Sequence, residues 1–182
     1  MNILKNKLKL QINIPSKTTP PFQTTLKQFH SECSHIIDNI YLSGHKPTLD
    51  EPFLTSQGIT HIINCAGGSK TFTPIFFKGI DYKTIHLRDD SMNNLSLTIQ
   101  EFIDHIEFID NLPNTKILIH CYEGISRAPA LVCAYLMYKK KIGFNEALYF
   151  VKEKRNCVDI NVGFMCQLEK YYFDMVSKSV TL

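Results

Sequence analysis

Apolar residues recur along this chain with two periods, and the switches between them mark the elements. From Ile99 to Ile109 they fall three and four apart, at Ile99, Phe102, Ile103, Ile106 and Ile109, the spacing that lays one apolar stripe along a helix. Thr98 with Glu101 predicts a capping box at its start, and Pro113 marks its end. Ala147, Leu148 and Val151 predict a second amphipathic helix over 145–155; Phe164, Leu168, Tyr171 and Phe173 predict a last one, with Asn161 as its cap. Short apolar runs bounded by glycine or polar clusters predict strands over 39–43, 60–64 and 81–87, stopped in the first two cases by Ser43-Gly44 and Gly67-Gly68. The uninterrupted Ile117-Leu118-Ile119 reads as a strand covered on both faces. A short helix is predicted around 48–56, and Phe76, Phe77 and Ile80 read as core or rim. Strands alternating with helices predict a single α/β domain whose mostly parallel, mixed sheet lies between helices.

Composition narrows the picture. The 182 residues are 44% hydrophobic and 20% charged, enough to bury one core and too few for two comfortable domains. Residues 1–30 mix Lys5, Lys7, Lys9, Lys17 and Lys27 with Pro15, Pro20 and Pro21, which predicts a flexible basic N-terminal arm ahead of a domain over 31–178. A net charge of +3 admits acidic or phosphorylated ligands without calling for nucleic acid, whose binders carry a denser basic face. Six cysteines without a signal peptide predict free thiols in a reducing compartment, the cytoplasm or the nucleus. Apolar runs stay below membrane-spanning length, Met1-Asn2 excludes N-myristoylation and Val180-Thr181-Leu182 offers no prenylation cysteine, so no membrane span is expected. Oligomeric state is left open.

The chemistry concentrates in Lys116-Ile-Leu-Ile-His-Cys-Tyr-Glu-Gly-Ile-Ser-Arg-Ala128, where the strand runs through a polar loop, Cys121 to Arg127, into a helix over 128–141. Pro129 suits that helix's first turn, and its basic end lies beside Gly143. Successive backbone N–H groups of Tyr122, Glu123, Gly124, Ile125, Ser126 and Arg127, at the positive end of the helix, make a concave donor site for phosphate oxygens. The Arg127 guanidinium adds a planar fork for two of them. The same field favours the thiolate of Cys121, a nucleophile facing bound phosphorus. Displacing an alkoxide or phenoxide also needs a proton donor on the leaving side, and Asp89 and Asp90, in a polar stretch at a strand end, are the candidates. A bare Cys-x5-Arg is weakly specific; His120, Gly124, Ser126 and the strand-loop-helix setting sharpen it. His120-Cys121 is not read as a metal pair, because no Cys-x2-Cys or His-x3-His spacing accompanies it, and no metal or other cofactor is expected.

His120-Cys-x-x-Gly-x-Ser-Arg127, followed by Ala134-Tyr-Leu-Met137, resembles the dual-specificity protein phosphatases of the Cys-based tyrosine phosphatase superfamily. Ile40-Tyr-Leu-Ser43, Thr60-His-Ile-Ile-Asn-Cys65 and Gly163-Phe-Met-Cys-Gln-Leu168 resemble further landmarks, so the likeness covers residues 39–175; Ile160 stands where members often have proline. The resemblance implies a tyrosine-phosphatase-like fold and a phosphoprotein phosphatase, acting on phosphotyrosine and phosphoserine or phosphothreonine through a phosphocysteine on Cys121. It makes Asp89, by its distance from Asn94-Leu-Ser96, the general acid and later base in preference to Asp90. His120 would rigidify the loop by hydrogen bonding, and the Ser126 hydroxyl would hydrogen-bond the departing thiolate. Arg155 stands where similar phosphatases carry a basic residue near the mouth, and two readings stay open: contact with a second phosphate, or a cation complementing its own helix dipole. Two stay open for Cys65 as well, a buried thiol or a reversible disulfide partner of Cys121. Cys133 and Cys166 are placed on apolar helix faces. Competing functions are a phosphoinositide or RNA 5′-phosphate phosphatase, which the acid Glu123 disfavours, and a phosphoprotein-binding pseudophosphatase, which intact Cys121, Arg127 and Asp89 disfavour.

Overall fold

The computed structural model describes residues 32–68 and 73–180, so the basic arm read into residues 1–30 lies outside the described residues. In chain order the elements are β1 (Cys33–Ile37), β2 (Ile40–Ser43), a 3-10 turn (Lys46–Leu49), α1 (Glu51–Gln57), β3 (His61–Asn64) and β4 (Asp81–Thr84). There follow α2 (Ser96–Asp110), β5 (Ile117–His120), α3 (Arg127–Lys140), α4 (Phe144–Lys154) and α5 (Val162–Val180).

The strands form one sheet in the order β1-β2-β5-β3-β4. β2, β5, β3 and β4 run parallel, and β1 is an antiparallel edge on β2. β5 comes last in sequence yet inserts in the middle, with His120 in register between Ser43 of β2 and Asn64 of β3. All four parallel strands therefore end on one side, with the loop after β5 at the centre of that side, where such sheets assemble their chemistry. The apolar run of β5 follows from burial on both faces. Leu118 packs with Leu54, Ile59 and Ile62 on the α1 side, while Ile117 and Ile119 join the larger core built with α2 to α5. In α3 every residue from Ala128 to Met137 is buried. A helix packed all round is held by its neighbours, and so is its N-terminus at the end of the loop.

Several local expectations are corrected. β1 was hidden because only Ile36 among its five residues is buried, leaving no clean alternation to read. α1 starts at Glu51, where Asp50 Oδ1 accepts from Phe53 N at 2.9 Å, and Lys46–Leu49 is a separate 3-10 turn. The capping box of Thr98 and Glu101 does not form: α2 starts at Ser96, whose N–H donates to Asn94 Oδ1 at 3.0 Å, and Glu101 pairs with Lys83 at 2.7 Å. β4 stops at Thr84, although Ile85 and Leu87 remain buried beyond it. Lys141, at φ 56°, ends α3, and Gly143 serves as the N-cap of α4. Cys133 is buried, but Cys166 is exposed rather than on an apolar face. Asn161 caps α5, its Oδ1 accepting from Phe164 N at 2.9 Å. No described helix is long and apolar enough to cross a membrane.

Candidate active site

Cys121 follows β5 directly and Ser126 is the N-cap of α3, so the loop has a fixed strand behind it and a fixed helix ahead. It turns at Gly124, where φ is 71°, a conformation that L side chains rarely adopt. A Cβ at this position would also collide with Ser43 O and crowd Gly44 N. Hydrogen alone lets the loop lie against the end of β2.

The carbonyls of the loop are held from outside, one after another. His120 Nδ1 lies 3.1 Å from Cys121 O, which makes Nδ1 the protonated nitrogen, since a carbonyl only accepts. His45 N donates to Tyr122 O at 3.0 Å, and the His45 and Tyr122 rings stack with centroids 4.6 Å apart. Arg155 Nη2 donates to Glu123 O at 3.2 Å and Nε to Gly124 O at 2.9 Å. Asp159 N donates to Ile125 O at 2.9 Å. In a planar trans peptide the N–H points opposite to the preceding carbonyl. Five carbonyls held outward, from Cys121 to Ile125, therefore turn five amides, from Tyr122 to Ser126, inward. Gly124 N–H reaches Cys121 Sγ at 3.2 Å.

This corrects one reading of Arg155. It is 3% exposed, its Nη1 donates to Glu32 O at 3.1 Å, and the guanidinium faces loop carbonyls rather than the mouth. It does occupy the C-cap of α4, but its side chain turns from that helix to the loop. His120, 2% exposed, has its pKa pushed down to about 4, first by burial, with help from the charges of His45 and Arg127. It is a neutral imidazole over the physiological range.

A pocket of about 440 Å³ opens above the thiol. Asp89 and the loop residues Cys121, Tyr122, Glu123, Ile125, Ser126 and Arg127 line it, and Asp159, Ile160 and Asn161 close the remaining wall. Cys121 is 2% exposed, at the bottom. Arg127 Nε is buried without a hydrogen-bond partner, with Asp89 Oδ2 at 3.5 Å. Asp89 Oδ1 accepts from Ser126 Oγ at 2.7 Å and from Asn161 Nδ2 at 2.8 Å. Asp90 stays in its own loop, where its Oδ1 accepts from Met92 N at 2.9 Å. The Ser126 hydroxyl is thus on Asp89, and the thiol takes its hydrogen bond from Gly124. The third wall was not among the residues singled out for the site; its only sequence signals were a helix cap and the unusual Ile160.

Cys65 is fully buried beside the end of β5, its N–H donating to His120 O at 2.7 Å. Burial first, then the charge of Cys121, pushes its thiol well up. Burial also raises Cys33 to about 11 and Cys133 to about 12. These thiols are protonated at neutral pH and poor nucleophiles.

The family described as "Dual specificity phosphatase, catalytic domain" matches residues 40–174. Protein-tyrosine-phosphatase MKP1 of Arabidopsis thaliana is 36% identical over 141 residues, 77% of this chain and 18% of that protein. Dual specificity protein phosphatase 22-A of Danio rerio is 34% identical over 145 residues, 79% of this chain and 66% of that one. The chain thus spans between about a fifth and about two thirds of the length of these two relatives. Among solved structures, human tyrosine phosphatase-like serine/threonine/tyrosine-interacting protein superposes with a TM-score of 0.69 at 29% identity, over 79% of this chain and 97% of that chain. DUSP15 superposes with a TM-score of 0.71 at 26% identity, over 80% of this chain and 90% of that chain. With the loop sequence, the inward amides and the central β5 all in agreement with this match, the chain belongs to the dual specificity phosphatase family of the Cys-based tyrosine phosphatase superfamily.

Proposed function

We propose that the chain hydrolyses phosphotyrosine and phosphoserine or phosphothreonine in proteins, with Cys121 as nucleophile and Asp89 as general acid and then base. The observation that carries this reading is the run of five outward-held carbonyls, which aims five amides at an anion above a thiol. Those amides and the Arg127 guanidinium take the non-bridging oxygens of a phosphate monoester. Cys121 Sγ attacks phosphorus, the S–P bond forms as the ester P–O bond breaks, and the Asp89 proton passes to the leaving oxygen. Water then attacks the phosphocysteine and gives a proton to the Asp89 carboxylate as the S–P bond breaks. Ser126, whose hydroxyl donates to Asp89, is assigned to turn from it to the sulfur as the sulfur departs, beside the Gly124 N–H already there.

A phosphoprotein suits the pocket better than a phosphoinositide or an RNA 5′ end, because its lining holds one cation, Arg127, against the acids Asp89, Glu123 and Asp159. Six free thiols support a reducing compartment, the cytoplasm or the nucleus. Cys65 is assigned as a buried thiol rather than a disulfide partner of Cys121, because burial holds it protonated and a protonated thiol attacks a sulfenic acid poorly. Peptide mapping after mild peroxide should find Cys121 oxidised with no 65–121 link; a 65–121 disulfide would contradict it.

The test of the activity is hydrolysis of an aryl phosphate between about pH 5 and 8, with chelator present, for wild type, Cys121→Ser and Asp89→Asn. Cys121→Ser should reduce turnover to background. Asp89→Asn should lower kcat by about 10²–10⁴-fold and remove the basic limb of the profile. Wild-type turnover in Cys121→Ser would contradict the assignment.

A further inference from the structure

The segment that carries Asp89, residues 85–95, lies between β4 and α2 and belongs to neither. Its own contacts, Arg88 N to Asn93 Oδ1 at 3.0 Å and Asn93 N to Asp90 O at 2.9 Å, shape it locally. They do not decide where Asp89 stands relative to Cys121. Ser126 and Arg127 meet the Asp89 carboxylate from the catalytic loop, and the first two turns of α5, with the residue that caps them, hold the segment from the other side.

Three contacts come from that end of the molecule. The Gln167 amide is used in both directions on the loop backbone, Oε1 accepting from Leu95 N at 2.7 Å and Nε2 donating to Asn93 O at 2.9 Å. Gly163 lies so close to Ser91 that a Cβ would collide with the Ser91 carbonyl, so the helix backbone itself abuts the loop. Asn161 binds Phe164 N through Oδ1, which orients the amide and turns Nδ2 onto Asp89 Oδ1 at 2.8 Å. Its own N–H donates to Ser126 Oγ at 3.3 Å, so one residue touches the acid, the nucleophile's loop and the helix at once. The helix is itself fixed, because Phe164 and Leu168 are fully buried in the main core.

We propose that Asn161, Gly163 and Gln167 are positioning residues for the general acid: a bracket that holds the Asp89 loop over the thiol. Asn161 and Ser126 both occupy Asp89 Oδ1, which leaves Oδ2, 3.5 Å from Arg127 Nε, as the oxygen that can carry the proton once a phosphate oxygen engages the guanidinium. The inference rests on the reading of Asp89 as general acid. It assigns a role to the Gly163-Phe-Met-Cys-Gln-Leu168 stretch, which the chemistry described so far leaves unused.

The test compares two substrates that differ in their need for a proton. Nitrophenyl phosphate releases an activated phenol, whereas phenyl phosphate releases one with a pKa near the tyrosine value of about 10. Two variants separate positioning from folding. Asn161→Ser keeps a helix-capping side chain but is too short to reach Asp89; Gln167→Met keeps the volume and removes both loop hydrogen bonds. For each, kcat on phenyl phosphate should fall about 10-fold or more, and several-fold more than on nitrophenyl phosphate, with the basic limb of the pH profile weakened. Added to Asp89→Asn, either change should cost little further, because the group it positions is already gone. Equal losses on both substrates, or full losses on top of Asp89→Asn, would show that these contacts only stabilise the fold and would overturn the proposal. A folded wild type inactive on both substrates would overturn the phosphatase reading, and the bracket with it; an active wild type with unselective variants overturns the bracket alone.

Discussion

On the outer side of the catalytic loop each carbonyl from Cys121 to Ile125 has a donor, drawn from β5, the 3-10 region, Arg155 and the 156–161 segment. On the inner side Gly124 N–H meets the thiol, and Arg127 Nε is buried without a hydrogen-bond partner. Asp89 Oδ2, at 3.5 Å, offsets the charge of Arg127 without completing a hydrogen bond to Nε, so a phosphate oxygen would supply the acceptor whose lack costs a buried donor about 1–3 kcal/mol. The outer side supplies rigidity and the inner side supplies affinity. A cradle whose dipoles are already oriented needs no reorganisation when charge develops on a phosphate, which is the largest contribution such sites make to rate.

The comparison breaks most completely at Gly124. Gly124→Ala puts a side chain at φ 71° and drives it into the end of β2, so the loop must move by the order of an ångström. Such a displacement costs about 10²-fold in kcat/KM; circular dichroism alongside the assay separates this from global unfolding. Arg155→Met comes next, since it leaves the Glu123 and Gly124 carbonyls without their buried donor. A loss of about 3 kcal/mol in urea unfolding is expected, with activity reduced. Arg155→Lys should recover only part, because one ammonium cannot reproduce the planar fork.

Acidification tests the same outer side without mutation. His120 shifts from the ordinary 6.5 to about 4 in the folded chain, so the unfolded chain binds the extra proton between those values. Stability from this group is intact above pH 6.5 and declines as the pH falls towards 4, by about 3 kcal/mol in all. The unfolding midpoint measured across that window should fall in wild type and fall less in His120→Asn. The smallest effect belongs to the exposed inner rim. Glu123→Gln should leave stability within about 0.5 kcal/mol and shift the kcat/KM ratio severalfold towards phosphopeptides with acidic neighbours. An unchanged ratio would remove Glu123 from substrate choice.

The strand, nucleophile, turn and helix are contiguous from Lys116 to Lys140, so that part of the site is legible in the sequence. What holds it is not contiguous. Arg155 meets Gly124 across 31 residues and Asn161 meets Asp89 across 72, and no local pattern announces either contact. Asn94 and Thr98 both carry capping side chains one turn apart, yet the helix begins after Leu95 with no side-chain cap, and Asn94 Oδ1 takes the Ser96 N–H in the turn that leads into it. Cys166 was misplaced by helix phase: at about 100° per residue it lies nearly opposite both Phe164 and Leu168, the two residues of α5 most deeply in the core. β1 escaped notice because an edge strand with one buried residue has no alternation to show.

The most direct test of the central claim is rapid acid quench of wild type and Asp89→Asn during turnover of a phosphotyrosine peptide, followed by mass spectrometry of the peptide containing Cys121. A phosphate on Cys121, accumulating further in Asp89→Asn as the second displacement slows, is the predicted result. Full turnover with no adduct on Cys121, or an adduct on another residue, would contradict it.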